Sequence, residues 1–160
     1  MILMTNVISA SSGSGLARAQ TQCQPEEFAM SAVTEIPVAS PAEIRARYAE
    51  RLRFETDCWD VHDALQSQAP DFVLVDVRGP ALFAKGHIAG AINVPRGKMT
   101  ARKMAEWPEG TLFVVYCAGP HCNGTDKAAM RLGELGLPVK VMIGGVTGWV
   151  DEGFDLTAST

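Results

Sequence analysis

Apolar positions along this chain follow two patterns. Three short runs are dominated by apolar residues: "DFVLVDV" at 71–77, "TLFVVYC" at 111–117 and "VKVMIGG" at 139–145. Runs of that length read as strands of a parallel sheet buried on both faces. Between and around them, apolar residues recur at helical spacing. "SPAEIRARYAERL" at 40–52 has Ser40 as N-cap, Pro41 at the first helical position and Glu43 three residues after the cap. This is a capping box with a favourable proline. Ile44, Tyr48 and Leu52 form one apolar stripe, and Arg and Glu fill a solvated face.

Further helices are expected from Asp60 in "DVHDALQSQ", with Val61, Ala64 and Leu65 inward, and in "TARKMAEW", capped by Thr100 and stopped by Pro108. "TDKAAMRLGELG" places Ala128, Ala129, Leu132 and Leu135 on one side and ends at Gly136 and Pro138. "TGWVDEGF" predicts a last short helix, and "GHIAGAINVP" a loop with a short strand. His62 reads as a surface histidine with no role. Strands alternating with helices predict an α/β fold, a central parallel β-sheet flanked by helices on both faces.

Composition narrows the classes. With 47% hydrophobic and 20% charged residues in 160, the chain has the balance of one globular domain. A net charge of -4 without a Lys/Arg cluster offers no field for nucleic acid. No apolar stretch approaches the roughly 18 residues of a membrane span. Residues 1–38 read as a disordered extension, since Ser, Gly, Gln and Thr dominate through Gln24; residues 40–156 form the domain. A secretory signal is disfavoured, because no positive charge precedes Arg18 and Thr5 and Asn6 break the apolar run. Four scattered cysteines, Cys23, Cys58, Cys117 and Cys122, suit a reducing, cytoplasmic compartment better than a disulfide scaffold.

Chemistry concentrates in "CAGPHCNGT" at 117–125. Cys117 ends a buried strand, and a helix follows the loop. Ligands of such folds bind at the carboxyl ends of strands. Small residues there (Ala118, Gly119, Gly124) let successive N–H groups turn inward, and a helix N-terminus favours negative charge. The same field lowers a thiol pKa. Position alone leaves two readings open, an activated nucleophile and a small buried residue at a strand end.

Four motifs, in order, decide between them: "DVR" at 76–78, "GHIAGAINVP" at 86–95, the cysteine after "VVY", and "GGVTGW" at 144–149. Together they resemble a rhodanese-like domain over roughly residues 57–156. The resemblance implies a single-domain sulfurtransferase of the thiosulfate type. Cys117 would take a sulfane sulfur as a persulfide and hand it to a thiol, cyanide or a protein acceptor. It implies that the loop of Ala118, Gly119, Pro120, His121, Cys122, Asn123, Gly124 and Thr125 holds the anionic sulfur. No cofactor, metal, nucleic acid or membrane is implied. Arg78 is expected to brace a loop by pairing with Asp76, or else to attract an anion. His87 orders its own loop, and Gly144, Gly145 and Trp149 pack behind the site.

Three departures qualify the resemblance. The loop lacks the Arg or Lys of many sulfurtransferases; the nearest positive groups in sequence are Lys127 and His121, which puts thiosulfate in doubt as donor. The loop is about two residues longer than the common pattern. A phosphatase of the related cell-cycle type needs Arg six residues after the cysteine, where this chain has Asn123. Cys122, finally, is either a resolving thiol for Cys117 or a small loop residue pointing away. If it resolves, the rival to the enzyme is a non-catalytic, redox-sensing or partner-binding module built on the Cys117–Cys122 pair. His121, beside Cys122, could assist thiolate formation or act as a proton carrier near neutral pH. A zinc site would need further ligands from Cys58, His62 or His87.

Overall fold

The computed structural model describes residues 30–67 and 69–159. Five strands form one parallel sheet in the order β1-β5-β4-β2-β3. They are β1 (Glu55–Thr56), β2 (Phe72–Asp76), β3 (Ile92–Asn93), β4 (Leu112–Tyr116) and β5 (Val139–Met142). The helices are α1 (Pro41–Phe54), α2 (Cys58–Leu65), α3 (Pro80–Lys85), α4 (Ala101–Met104), α5 (Gly124–Glu134) and α6 (Gly145–Asp151). A 3₁₀ turn covers Arg96–Lys98.

The side-chain alternation of a strand sorts the core into two layers. Val75, Phe113, Val115 and Cys117 pack with Met104 of α4 and with Ala128 and Leu132 of α5. Leu74, Val114 and Tyr116 pack on the other face with Cys58 and Val61 of α2 and Trp149 of α6. The predicted α/β class, with a helix-flanked parallel sheet, is the fold observed.

Several boundaries differ from expectation, each for a local reason. α2 begins at Cys58 rather than Asp60, because the Asp57 carboxylate caps it by accepting from the Asp60 N–H at 2.8 Å. α4 has only one turn, ending at Met104 although Pro108 lies further on. α6 starts at Gly145, ahead of the expected Thr147. The helix α3 was not expected, and neither was β1, which is too short to carry a pattern. The domain continues past residue 156: His87 and Thr157 exchange backbone bonds of 2.8 Å, and Ser159 N–H donates to Ala84.

α1 forms with its full capping box, Ser40 and Glu43 each accepting from the other's backbone N–H. Its apolar stripe is nevertheless exposed: Tyr48 is 57% and Leu52 67% accessible, and no residue of the helix is buried. Capping, not burial, defines this helix.

The expected disorder of residues 1–38 falls mostly outside the described residues, as does Cys23. Residues 30–38 are exposed, with a turn in which Thr34 N–H donates to the Ser31 carbonyl. The residues described from Ala39 onward form one compact unit of their own.

Candidate active site around Cys117

The centre of the sheet ends at Cys117, directly after β4. Two contacts fix the loop that follows. The Val146 N–H donates to the Cys117 carbonyl at 3.0 Å. The Thr147 N–H and hydroxyl both donate to the Ala118 carbonyl, at 2.9 and 3.0 Å. In a planar trans peptide the next N–H points opposite to the carbonyl. Holding these two carbonyls against α6 therefore turns the Ala118 and Gly119 N–H groups away from it.

Gly145 makes that clamp fit. It adopts φ +59°, and a Cβ there would stand 2.5 Å from the Cys117 carbonyl oxygen and 2.9 Å from the Gly119 nitrogen. Only glycine tolerates this conformation and approach together. The packing role expected for Gly144, Gly145 and Trp149 takes this concrete form. Trp149 is buried, with its indole N–H on the Asp155 carbonyl at 3.0 Å.

On the far side of the Cys117 sulfur stands the start of α5. A Cβ on Gly124, the first residue of that helix, would lie 2.8 Å from the Cys117 Sγ. The helix N-terminus therefore reaches the sulfur itself. No side chain caps α5, so its first N–H groups have neither intrahelical nor capping side-chain partners. This end of an 11-residue helix favours negative charge beside it.

Between these walls opens a cavity of about 490 Å³. Cys117, Gly119, Pro120, His121, Cys122, Asn123, Thr125 and Asp126 line it on the loop side, and residues 141–145 close it opposite. The third wall was invisible in the sequence motifs: Arg51 and Glu55, from the end of α1 and the start of β1. They face the cavity because β1 pairs with β5, Glu55 opposite Val141 and Thr56 opposite Met142. The only sequence signal is the i,i+4 spacing of an Arg and a Glu, which any solvated helix shows. Arg51 is not a free cation, since its guanidinium is paired with Glu55.

Of the expected loop residues, Ala118 and Gly124 shape the cavity from behind without lining it. Lys127 is exposed and does not line it either. Arg78 is committed elsewhere. Its Nε and Nη2 donate to both oxygens of the fully buried Asp76 carboxylate, at 2.6 to 3.0 Å. Nη2 also donates to the Gly86 carbonyl at 2.6 Å. Of the two roles weighed for Arg78, the geometry is that of bracing. His87 is buried in its loop, Nδ1 being 2.9 Å from the Phe83 carbonyl and the ring stacked on Phe83.

Cys122 does not point away. Its Sγ meets the Cys117 Sγ and the two form a disulfide, their Cα atoms 6.5 Å apart across five residues. The turn is held by the Cys122 N–H donating to the Gly119 carbonyl at 3.0 Å. Cys58 is buried beneath the same region. Its thiol lies 3.5 Å from the Ile143 carbonyl, and burial, aided by Asp57 and Glu152, pushes its pKa up to about 11. That thiol stays protonated and unreactive at neutral pH.

His62 is a correction as well. It is half-buried, stacked on Phe154 at 3.9 Å and beside Trp59 and Trp149, with Nδ1 buried and unpartnered. Its neighbours in the fold, not its helix, remove it from the surface. It lines a larger cavity of about 700 Å³ with Phe72, Trp107 and Phe154, in which no residue of the cysteine loop takes part. Among the described residues, no three His, Cys, Asp or Glu side chains converge as a metal site requires, and no helix is long and apolar enough to cross a membrane.

The model of the rhodanese-like domain matches residues 60–152. The chain belongs to the rhodanese-like domain family. This rhodanese-like domain is 35% identical over 92 residues to the HTH-type transcriptional regulator Rv0324 of Mycobacterium tuberculosis, covering 54% of this chain and 40% of the regulator. It is 34% identical over 89 residues to YibN of Escherichia coli K12, covering 54% of this chain and 61% of that protein. Among solved structures it is similar to BH2092 from Bacillus halodurans, with TM-score 0.71 and 31% identity over 74% of this chain and 87% of that one. A thiosulfate sulfurtransferase from Pseudomonas aeruginosa superposes with TM-score 0.57 and 25% identity, over 70% of this chain and 21% of that enzyme.

Proposed function

We propose that this rhodanese-like domain is a sulfurtransferase that carries sulfane sulfur as a Cys117 persulfide. One observation supports this above the others: the Cys117 sulfur sits against the uncapped N-terminus of α5, beside a cavity. The Cys117 thiolate attacks the outer sulfur of thiosulfate, and sulfite leaves with the electron pair of the broken S–S bond. An acceptor thiolate or cyanide then attacks the outer sulfur of the persulfide, and the Cys117 thiolate leaves. The helix end and the Ala118 and Gly119 amides stabilise the anion at each stage. The likeness to a thiosulfate sulfurtransferase agrees with this reading.

Thiosulfate is a dianion, and the charges lining the cavity suit it poorly. Arg51 is paired with Glu55, and Asp126 adds a second carboxylate. A donor of lower charge, or a persulfidated carrier protein, fits this lining better. Four scattered cysteines and a thiol that must be free to react suit a cytoplasmic site of action.

Intact-protein mass spectrometry of the reduced protein with a sulfur donor tests the reading. The Cys122→Ser variant, which has no neighbouring thiol to discharge the site, gains one sulfur that cyanide removes, and Cys117→Ser gains none. Equal gain by Cys117→Ser overturns it. A second reading, a redox-reporting module without transfer, is favoured by the Cys117–Cys122 pairing and by the likeness to a transcriptional regulator. It predicts loss of two hydrogens from the wild type under mild oxidant and no gain of sulfur by Cys122→Ser from any donor.

A further inference from the structure

The position of Cys122 bears on the fate of the sulfur once it is loaded. A persulfide has two electrophilic sulfurs. Attack on the outer one passes sulfur to an acceptor, and attack on the inner one, the Cys117 Sγ, expels hydrosulfide. Cys122 stands at the inner sulfur: its Sγ meets the Cys117 Sγ, with the two Cα atoms 6.5 Å apart, inside the range for a bridged pair. The turn between Gly119 and Cys122 holds it there. Gly124, lacking a Cβ, leaves room beside both sulfurs, since a Cβ there would lie 2.8 Å from one and 3.2 Å from the other. Both cysteines line the cavity, so the departing sulfur has a way out.

We infer that Cys122 resolves the Cys117 persulfide, making the domain a sulfide-releasing enzyme that requires a dithiol reductant; the inference rests on the sulfurtransferase reading. In the resolving step the Cys122 thiolate attacks the inner sulfur, and the Cys117–Cys122 bond forms as the bond to the outer sulfur breaks. Hydrosulfide leaves with that electron pair, so Cys117–S–SH and Cys122–SH become the disulfide and H₂S. Cys122 is oxidised together with Cys117, and the outer sulfur is reduced to sulfide. Because the attacking thiol is built into the loop, the step is unimolecular and competes with external acceptors.

Resetting the site requires two electrons. A monothiol opens the disulfide to a mixed disulfide, which the freed neighbouring cysteine attacks again. A dithiol supplies a second thiol that completes the reduction. The co-substrate is therefore a dithiol, small or carried on a protein.

The test follows one turnover in the reduced full-length protein, freed of reductant, without added thiol. Inorganic polysulfide loads Cys117 chemically, and thiosulfate loads it only by catalysed transfer. After polysulfide, the wild type releases one sulfide per chain and ends two hydrogens lighter than the reduced protein. Cys122→Ser keeps the extra sulfur and releases sulfide at least about tenfold more slowly; Cys122→Ala does the same if the serine variant folds poorly. Wild type that holds its sulfur as long as these variants overturns the inference, and so does sulfur mapped to Cys122. Sulfide release after polysulfide with no uptake from any donor refutes the transfer reading alone. Uptake from a donor followed by a stable persulfide in the wild type refutes resolution alone.

Discussion

At the scale of single residues, the site depends on an atom that Gly124 lacks. Its missing Cβ lets the first turn of α5 stand against the Cys117 sulfur. Gly124→Ala pushes the helix end and the sulfur apart, while alanine's better helix propensity supports α5 itself. The expected outcome is a folded protein whose rate of sulfur uptake falls about tenfold or more, since the donors beside the anion are displaced. Stopped-time mass spectrometry of loading, together with a melting curve, checks both halves. Gly124 was legible in the sequence only as a small loop residue. Its contact with the sulfur depends on how tightly the turn from Gly119 to Cys122 closes, and no local pattern encodes that.

At the scale of elements, the brace between the end of β2 and the loop before β3 is the clearest case. Asp76 is fully buried and both its oxygens are taken by Arg78, which also reaches the Gly86 carbonyl. Asn93 adds bonds of 3.0 and 2.9 Å to the Asp76 and Arg78 carbonyls. Arg78→Ala leaves a carboxylate without its partner in a closed interior, at a cost of about 3–5 kcal/mol in unfolding free energy. Urea denaturation measures it, and a loss near zero would mean that Asp76 finds water or protonates. The double variant Asp76→Asn with Arg78→Ala is expected to recover part of the loss.

Elements with a strong internal pattern were readable in the sequence: β2, β4 and β5 from their apolar runs, α1 from its capping box, α5 from its periodic stripe. Those that failed lack such a pattern. β1 has two residues and exists through its pairing with β5. His62 looked exposed because its partner Phe154 arrives from the far end of the chain. Arg51 and Glu55 joined the site for the same reason, through a contact made between strands distant in sequence.

For the molecule as a whole, two buried acids set the alkaline limit. Burial pushes the Cys58 thiol up to about 11 from 9.0. Burial, then the nearby Asp76, raises the Tyr116 phenol as well. Both groups are neutral when protonated and have raised pKa values in the folded state. Their stabilisation is complete below the unfolded pKa values and is lost as pH rises past them. For Cys58 that window runs from 9.0 to about 11, and the loss is on the order of 2 kcal/mol. Equilibrium unfolding of the disulfide form, in which Cys117 and Cys122 do not titrate, shows stability falling across this range. In Cys58→Ala the slope is shallower; an unchanged slope would remove Cys58 as the cause.

One wall of the cavity has a further consequence. The loop that carries Cys117 and Cys122 lies within 60–152, the span that matches the family. Arg51 and Glu55 lie outside it, where α1, which has no buried residue, runs into β1. This wall of the cavity is thus built from a different stretch of chain than the cysteine loop. Exchanging Arg51 or Glu55 alters what the mouth of the cavity presents and leaves Cys117 and Cys122 where they are.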